Sequence, residues 1–242
     1  SARNRVDEEI TPRGGLIVKP QENVSLYLSY SESFLPRSGE QYANINGAKQ
    51  ALDPDTFTNQ ELGVKWDVTD RLSLSAAVFK NEQSSPQVAD ADPSTLDVID
   101  AEIDGMEFQL SGALTERLVI TANYSQLNGE IVERTGPTGR TPRELPETMG
   151  SVWARLDASD AFGVGLGVTY QGRSFINSAN TAFLPSYTRF DAALYYTVSD
   201  RLRLQLNLEN LTDKLYFPHA HATHQASVGE PRQATLSVMG SF

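Results

Sequence analysis

Three histidines form the one cluster in this sequence whose side chains suit metal binding. His219, His221 and His224 lie close together in a late loop, and the 242-residue chain has no other histidine. Neutral imidazoles at this spacing could bind a metal ion. The chain contains no cysteine, and no carboxylate within the stretch completes a closed site, which favours an ordinary polar loop. We therefore expect no metal centre and keep the histidines only as candidate ligand contacts.

Aromatic and arginine side chains in the predicted loops are better candidates for ligand binding. Planar rings and guanidinium groups hold small molecules by stacking and by directed hydrogen bonds. Each of these side chains could instead pack within its loop or at the end of a strand. The candidates are Phe34, Arg37, Tyr42, Phe57, Phe183 and Phe217.

The sequence predicts no catalytic machinery. Carboxylates are plentiful, but they fall in a loop and on alternating strand positions, where charged residues are usually solvated. No nucleophile elbow, phosphate loop or paired helical histidines are present. Gly163, Gly165 and Gly167 recur at the period of a strand, so we interpret them as inward positions with close packing. The chain is predicted not to be an enzyme.

The composition excludes two further classes. The chain has 31 acidic and 20 basic side chains and a net charge of −11, which argues against a nucleic-acid partner because such binding depends on lysine and arginine neutralising phosphates. No stretch approaches the ~18 apolar residues that a membrane-spanning helix needs.

An alternation of apolar and polar residues runs along most of the chain. Residues 72–78 and 202–208 carry an apolar side chain at every second position, with serine, alanine, asparagine, glutamine or arginine between them. This is the period of a strand with one apolar face. Matching segments lead into and out of short polar turns, so the sequence predicts about eleven antiparallel strands joined as hairpins.

The connections at the two ends of these hairpins differ in length. One end has turns of a few residues, whereas the other has long loops rich in Pro, Gly, Asn, Asp and Ser at about 35–57, 84–97, 129–144, 176–186 and 211–229. A soluble β-sandwich also alternates apolar and polar residues. The one-sided loops and strands of at least ~9–11 residues favour an up-and-down transmembrane β-barrel with short periplasmic turns and long extracellular loops.

Aromatic residues near the predicted strand ends support the barrel, because lipid-facing barrels carry aromatic girdles there. The mean hydropathy of −0.36 is compatible with it, since one face of every strand would be polar. The aromatic residues assigned to the girdles are Tyr30, Phe34, Trp66, Phe79, Tyr124, Phe162, Tyr170 and Tyr187.

Several motifs resemble one protein family. Segments 167–173, 184–193 and 206–217, followed by 229–232 and a last strand ending at Phe242, resemble in order and spacing the C-terminal end of TonB-dependent ferric-siderophore receptors. Segments 30–36, 52–65 and 103–108 fit as well. The resemblance covers nearly the whole chain, and it is specific in combination rather than in any single motif.

The resemblance implies a plugged outer-membrane barrel of twenty-two strands, of which this chain has about half. We therefore expect residues 1–242 to be the C-terminal portion of such a barrel in a Gram-negative bacterium, with the plug domain absent. The implied partners are a ferric siderophore, the TonB–ExbB–ExbD system acting through the plug, the barrel-assembly machinery and outer-membrane lipid. Iron would arrive inside the siderophore, so no resident cofactor is expected.

The resemblance also suggests roles for particular residues. Phe242 would end the strand that the assembly machinery reads, although an ordinary edge strand is the alternative. Loop segments 216–221 and 179–181 are closer to receptors for catecholates than for hydroxamates. Polar lumen residues would hydrogen-bond the plug: Glu61, Lys65, Glu107, Gln109, Arg203, Gln205 and Glu209. A passive outer-membrane pore and a soluble all-β binding domain remain the alternative functions.

Overall fold

The computed structural model describes residues 6–36, 52–88, 96–133 and 139–240. In these ranges the regular elements are β-strands, and none of the described residues forms a helix long and apolar enough to cross a membrane. Eleven strands form one antiparallel sheet in the order β1-β2-β3-β4-β5-β6-β7-β8-β11-β12-β15, while β9 pairs with β10 and β13 with β14. The predicted number of strands is confirmed.

The strands are β1 (Arg13–Gln21), β2 (Val24–Leu35), β3 (Asp55–Thr69), β4 (Leu72–Val88), β5 (Leu96–Ala113), β6 (Leu118–Glu133), β7 (Thr148–Asp157), β8 (Phe162–Gln171), β9 (Ser174–Phe175), β10 (Phe183–Leu184), β11 (Tyr187–Ser199), β12 (Leu202–Glu209), β13 (His219–Ala222), β14 (Gln225–Ser227) and β15 (Gln233–Gly240). The two short hairpins lie within long connections at one end of the sheet. The predicted asymmetry between short turns and long loops is therefore confirmed.

The register of the sheet assigns each residue to a face by its number. Apart from bulges beside three of the short turns, even-numbered residues pair with even-numbered residues across every ladder of the sheet. A single row thus joins Leu28, Leu62, Val78 and Met106 across four strands. Because a slip of one residue would turn a strand over, this constant parity keeps the alternating apolar side chains of neighbouring strands on the same face.

The two faces of the sheet differ in polarity as the alternation predicted. The even face exposes large apolar side chains, including Leu62 at 55%, Leu166 at 63% and Leu236 at 63%. The odd face carries polar contacts such as the hydrogen bond from the Tyr27 hydroxyl to Glu61. The girdle assignment was wrong for Phe79 and Tyr187, which have odd numbers and lie on the polar face.

Three central strands, β4, β5 and β6, are longer than the sequence suggested. In their extensions toward the loops the even face carries charged instead of apolar side chains. β5 has 18 residues, which corresponds to about 60 Å of extended chain and exceeds a ~30 Å hydrocarbon layer even when the strand is tilted. Beyond Val78 the even face becomes charged, and Lys80 pairs with both Glu82 and Glu102. The sequence shows no alternation of apolar and polar residues in these extensions, because both faces of the strands carry polar residues. The extensions were therefore predicted as loops.

The buried residues lie mainly at the loop end of the sheet. Leu184, Tyr216 and Ala220 are each no more than 5% exposed, and Asn210 is 1% exposed. A soluble β-sandwich would instead bury one face of a sheet against a second large sheet, and the described residues form a single large sheet. Within them, β1 and β15 are the two edges and do not pair with each other.

Candidate functional site

A cavity of about 280 Å³ lies on the odd face at the loop end of β2–β5. Phe57 lines it together with mostly uncharged polar side chains, and Asn59 donates a hydrogen bond to Asn81 across the neighbouring strands. Glu82 is the charged residue of the lining, and the other uncharged lining residues are Ser31, Ser33, Thr58, Gln83, Ala101 and Ile103. An aromatic ring surrounded by amides and hydroxyls is suited to a ligand that needs both stacking and hydrogen bonds.

The predicted aromatic candidates do not share one site. Phe34 pairs with Thr56, whereas Phe57 pairs with Ser33, so the two rings belong to opposite faces of the sheet. Phe183 lies opposite Phe175 in the β9–β10 hairpin and is 54% exposed, with the Arg173 guanidinium 6.0 Å from its ring centroid. Only Phe57 lies in the cavity at the loop end of β2–β5.

The remaining predicted residues are partly buried, exposed or outside the described part of the chain. Phe217 is partly buried next to Tyr216, and His219, His221 and His224 are exposed on the β13–β14 hairpin and its turn. Among the residues that the structure describes, no group of three His, Cys, Asp or Glu side chains could hold a metal ion. Arg37, Tyr42 and Phe242 lie outside the described residues.

Gly165 and Gly167 leave a stretch of the odd face of β8 without side chains, which we call the glycine floor. A Cβ placed on Gly165 or on Gly167 would lie 2.5 Å from the indole ring of Trp153, so these positions must lack a side chain. Trp153 is directly opposite Gly167 in the register, and its indole extends over both glycines. The inward, closely packed role predicted for these glycines is confirmed.

Arginine and aromatic side chains flank this floor at two heights. At the turn end, the Arg155 guanidinium lies 4.2 Å from the ring centroid of Tyr195 and is paired with Asp157 at 2.9 Å. Nearer the loops, Arg189 pairs with Asp191 at 3.0 Å. Cavities of about 370 Å³ and 360 Å³ accompany the lower and the upper group, respectively.

A network of hydrogen bonds anchors the connection between β12 and β15. Arg189 donates a 3.2 Å hydrogen bond to the Tyr216 hydroxyl, whose ring lies 4.6 Å from that of Tyr187. The buried Asn210 accepts a hydrogen bond from the backbone N–H of Lys214, and it donates to the carbonyls of Lys214 and Glu230. This network holds Tyr216 over Gly229, where a Cβ would lie 2.2 Å from the ring.

Three loops are joined by further contacts through Glu144 and Asn180. Glu144 donates its backbone N–H to the carbonyl of Phe175 and accepts one from Ala220 on its carboxylate, at 2.7 and 2.8 Å. The amide of Asn180 makes reciprocal hydrogen bonds with the backbone of Thr141. Both residues have positive φ, 56° and 55°. The loops after β6, β8 and β12 are therefore held together as one layer.

The sequence did not single out Glu144 or Trp153, and it included Asn180 and Asn210 only as parts of segments that resemble the family. Asn210, Asp213, Glu144 and Asn180 all adopt positive φ, and asparagine and aspartate are the non-glycine residues that tolerate this conformation best. Asparagine within a polar loop was thus a usable signal for Asn210 and Asn180. The contact of Trp153 with the glycines required the register between β7 and β8, which no local pattern supplies.

The family model for the β-barrel of TonB-dependent receptors, described as "TonB dependent receptor-like, beta-barrel", matches residues 1–211. The chain belongs to this family. The predicted family membership is therefore confirmed, and so is the location, because members are proteins of the Gram-negative outer membrane. The even face of the sheet is the one that faces lipid, and the odd face lines the lumen.

Two relatives illustrate the match. The chain is 34% identical to the probable TonB-dependent siderophore receptor PiuA of Acinetobacter baumannii over 98% of its own length and 34% of the relative. It is 28% identical to the probable TonB-dependent receptor BfrD of Bordetella pertussis over the same share of each. The chain thus spans about a third of the length of these relatives, which are named as receptors and not as enzymes.

Solved structures agree in fold. The crystal structure of PiuA superposes with a TM-score of 0.85 at 33% identity, covering 94% of this chain and 35% of that one. The ferric-catecholate import receptor Fiu of Escherichia coli, in its closed form, gives a TM-score of 0.82 at 26% identity over 95% of this chain and 34% of Fiu. The predicted fold class is confirmed.

Proposed function

We propose that this chain forms part of the barrel of an outer-membrane receptor that imports ferric siderophores with energy supplied through TonB. The observation that carries the proposal is the two-faced sheet of a family whose matching relatives include siderophore receptors. Residues 1–242 supply the C-terminal portion of the barrel, and the plug lies outside this chain. Iron enters as the ferric siderophore, which is cargo, and the barrel holds no resident cofactor.

The loop end of the lumen is the siderophore-binding end. The cavity lined by Phe57 lies there, and so does the loop layer with Phe183, Phe217 and the three histidines. Arg37 and Tyr42 follow β2 in the sequence and lie outside the described residues, and they stay predicted ligand contacts. Phe34 lies on the even face, further toward the loops than the charged row of Lys80, so it belongs to the outer side of the wall and does not contact the ligand.

Polar side chains of the odd face contact the plug, and the last strand is recognised during barrel assembly. The Nζ of Lys65 lies 5.7 Å from the ring centroid of Tyr27, and the Tyr27 hydroxyl donates a hydrogen bond to Glu61. The lumen wall therefore presents a positive and a negative side chain close together to a partner. Glu107, Gln109, Arg203, Gln205 and Glu209 have the same parity and face the same way. The last strand and Phe242 provide the signal for the barrel-assembly machinery, and the even face contacts outer-membrane lipid.

Uptake of ⁵⁵Fe-labelled siderophores by the complete receptor tests this proposal. The receptor is produced in a Gram-negative host that lacks its own siderophore receptors, with and without TonB. We expect uptake that depends on both the receptor and TonB. Equal entry without TonB would indicate a passive pore, and the absence of both surface binding and uptake for catecholate and hydroxamate chelates would reject the siderophore function.

A further inference from the structure

The lumen face of β7, β8 and β11 differs from that of the central strands β4, β5 and β6. Arginine and aromatic side chains follow one another from the loops to the short turns: Tyr216, Tyr187, Arg189, Trp153, Arg155 and Tyr195. On β4, β5 and β6 the lumen positions at the same heights are mainly small and uncharged, for example Ser75, Ser111 and Thr121. The charged and aromatic groups thus form a stripe rather than a uniform lining.

Members of this stripe are joined by direct contacts near the loops and by shared cavities further down. Tyr187 stacks near Tyr216, and Arg189 donates to the Tyr216 hydroxyl. Arg189 and Trp153 line the same cavity of about 360 Å³, and Arg155 and Tyr195 line the next, of about 370 Å³. Both cavities open to the lumen side of the sheet, so a ligand passing inward would meet them in succession.

The glycine floor explains how ring faces are presented to the lumen. Because Gly165 and Gly167 have no side chains, the Trp153 indole can approach the backbone of β8 and extend over both residues. Trp153 remains only partly buried in this position. A ring held against the wall in this way offers its other face for stacking, while Arg189 and Arg155 provide hydrogen-bond donors above and below it.

We infer that Trp153, Arg189, Arg155 and Tyr195 form a transit site on the lumen wall for ligands that carry aromatic rings with anionic oxygens, such as ferric catecholates. The inference rests on the proposed function and adds to it a site below the entrance and a class of cargo. Stacking on Trp153 and Tyr195 recognises the aryl ring, and the guanidinium groups recognise its oxygens. Asp191 and Asp157 keep the arginines oriented. Together with Glu209 in the upper cavity and with Glu116 and Asp160 in the lower one, they limit how tightly an anion is held, so that stacking on the rings carries most of the recognition.

The test compares Trp153→Leu with Trp153→Phe in the complete receptor, using a ⁵⁵Fe-labelled ferric tris-catecholate and an aryl-free ferric trihydroxamate. Surface binding is measured in de-energised cells and uptake in energised cells. We expect Trp153→Leu to slow catecholate uptake roughly fivefold, the scale of one lost aromatic contact, with surface affinity within twofold. Trp153→Phe should keep uptake within twofold, because it retains a ring. Tyr195→Leu is the second variant and should reproduce the slowing if Trp153→Leu fails to assemble.

Each other outcome overturns the transit site. Unchanged catecholate uptake in both leucine variants would do so, as would an equal loss for the trihydroxamate where that chelate is imported. Raised sensitivity to a large antibiotic with normal chelate uptake would instead assign Trp153 to holding the plug. A wild-type receptor that imports the trihydroxamate but no catecholate would refute the cargo class alone, whereas one that binds neither chelate would reject the proposed function itself.

Discussion

The backbone N–H of Asn210 donates a 2.8 Å hydrogen bond to a carboxylate oxygen of Asp191, on the neighbouring strand. Asp191 also pairs with Arg189, which in turn donates to the Tyr216 hydroxyl. The end of β12 is thereby connected to the lumen wall of β11 and to the last loop. A buried polar group with all its partners satisfied fixes local geometry strongly, because breaking it leaves several groups unpaired.

Replacing Asn210 should therefore destabilise the loop layer. Asn210→Gly keeps the positive φ but leaves the backbone groups of Lys214 and the carbonyl of Glu230 without the amide, and we expect a loss of about 3 kcal/mol. Asn210→Ala should cost about 1 kcal/mol more, because alanine resists φ of 50°. Urea unfolding in lipid vesicles measures both. Equal stability of the wild type and the glycine variant would show that the amide contributes nothing.

The contact between Trp153 and the glycine floor predicts a clash on adding one methyl group. Gly167→Ala should lower the free energy of unfolding by about 1–3 kcal/mol, because its Cβ would enter the indole. Gly14→Ala is the matched control, since no atom lies within 4 Å of a Cβ there, and it should be close to neutral.

The double variant Gly167→Ala/Trp153→Ala isolates this contact. If the indole is what opposes the methyl group, the added cost of Gly167→Ala should largely vanish in the Trp153→Ala background. An undiminished cost in that background would place the strain in the β8 backbone.

Because odd and even residues lie on opposite faces of the sheet, an added charge should change the stability of the barrel differently at two adjacent residues of β12. Leu206 lies in a row with Leu194 and Leu236 on the lipid-facing side, whereas Gln205 faces the lumen. Leu206→Arg should cost about 2–4 kcal/mol near the membrane midplane, and Gln205→Arg should cost under about 1 kcal/mol because the lumen is polar. Reconstitution and urea unfolding compare them. A similar cost for both would mean that the two faces are not distinguished by lipid.

Much of the fold followed from sequence alone because strand alternation is a local property. Leucine at every second position from Leu202 to Leu208 identifies the side chains that face lipid. The short turns that flank the strands indicate that neighbouring strands run in opposite directions. The site was harder to predict, since Phe34 and Phe57 are both aromatic residues at the end of a strand and differ only in the parity set by the register. Trp153 and Tyr216 were missed because their roles depend on glycines of other segments.

Phe57 and Phe34 provide the last prediction. Both lie at the loop end of paired strands, but Phe57 lines the lumen cavity of about 280 Å³, whereas Phe34 lies on the opposite face of the sheet. If the cavity contributes to siderophore binding, Phe57→Ala should weaken surface binding of the transported chelate about fivefold through loss of a stacking ring. Phe34→Ala should leave the dissociation constant within twofold.

The measurement is equilibrium binding of the labelled chelate to whole, de-energised cells, with receptor amounts matched by immunoblot. Because both variants remove the same atoms from neighbouring strands, a general loss of barrel stability would affect them alike. Equal weakening by the two variants would remove the cavity from the binding site, and weakening by Phe34→Ala alone would place ligand contacts on the opposite face of β2.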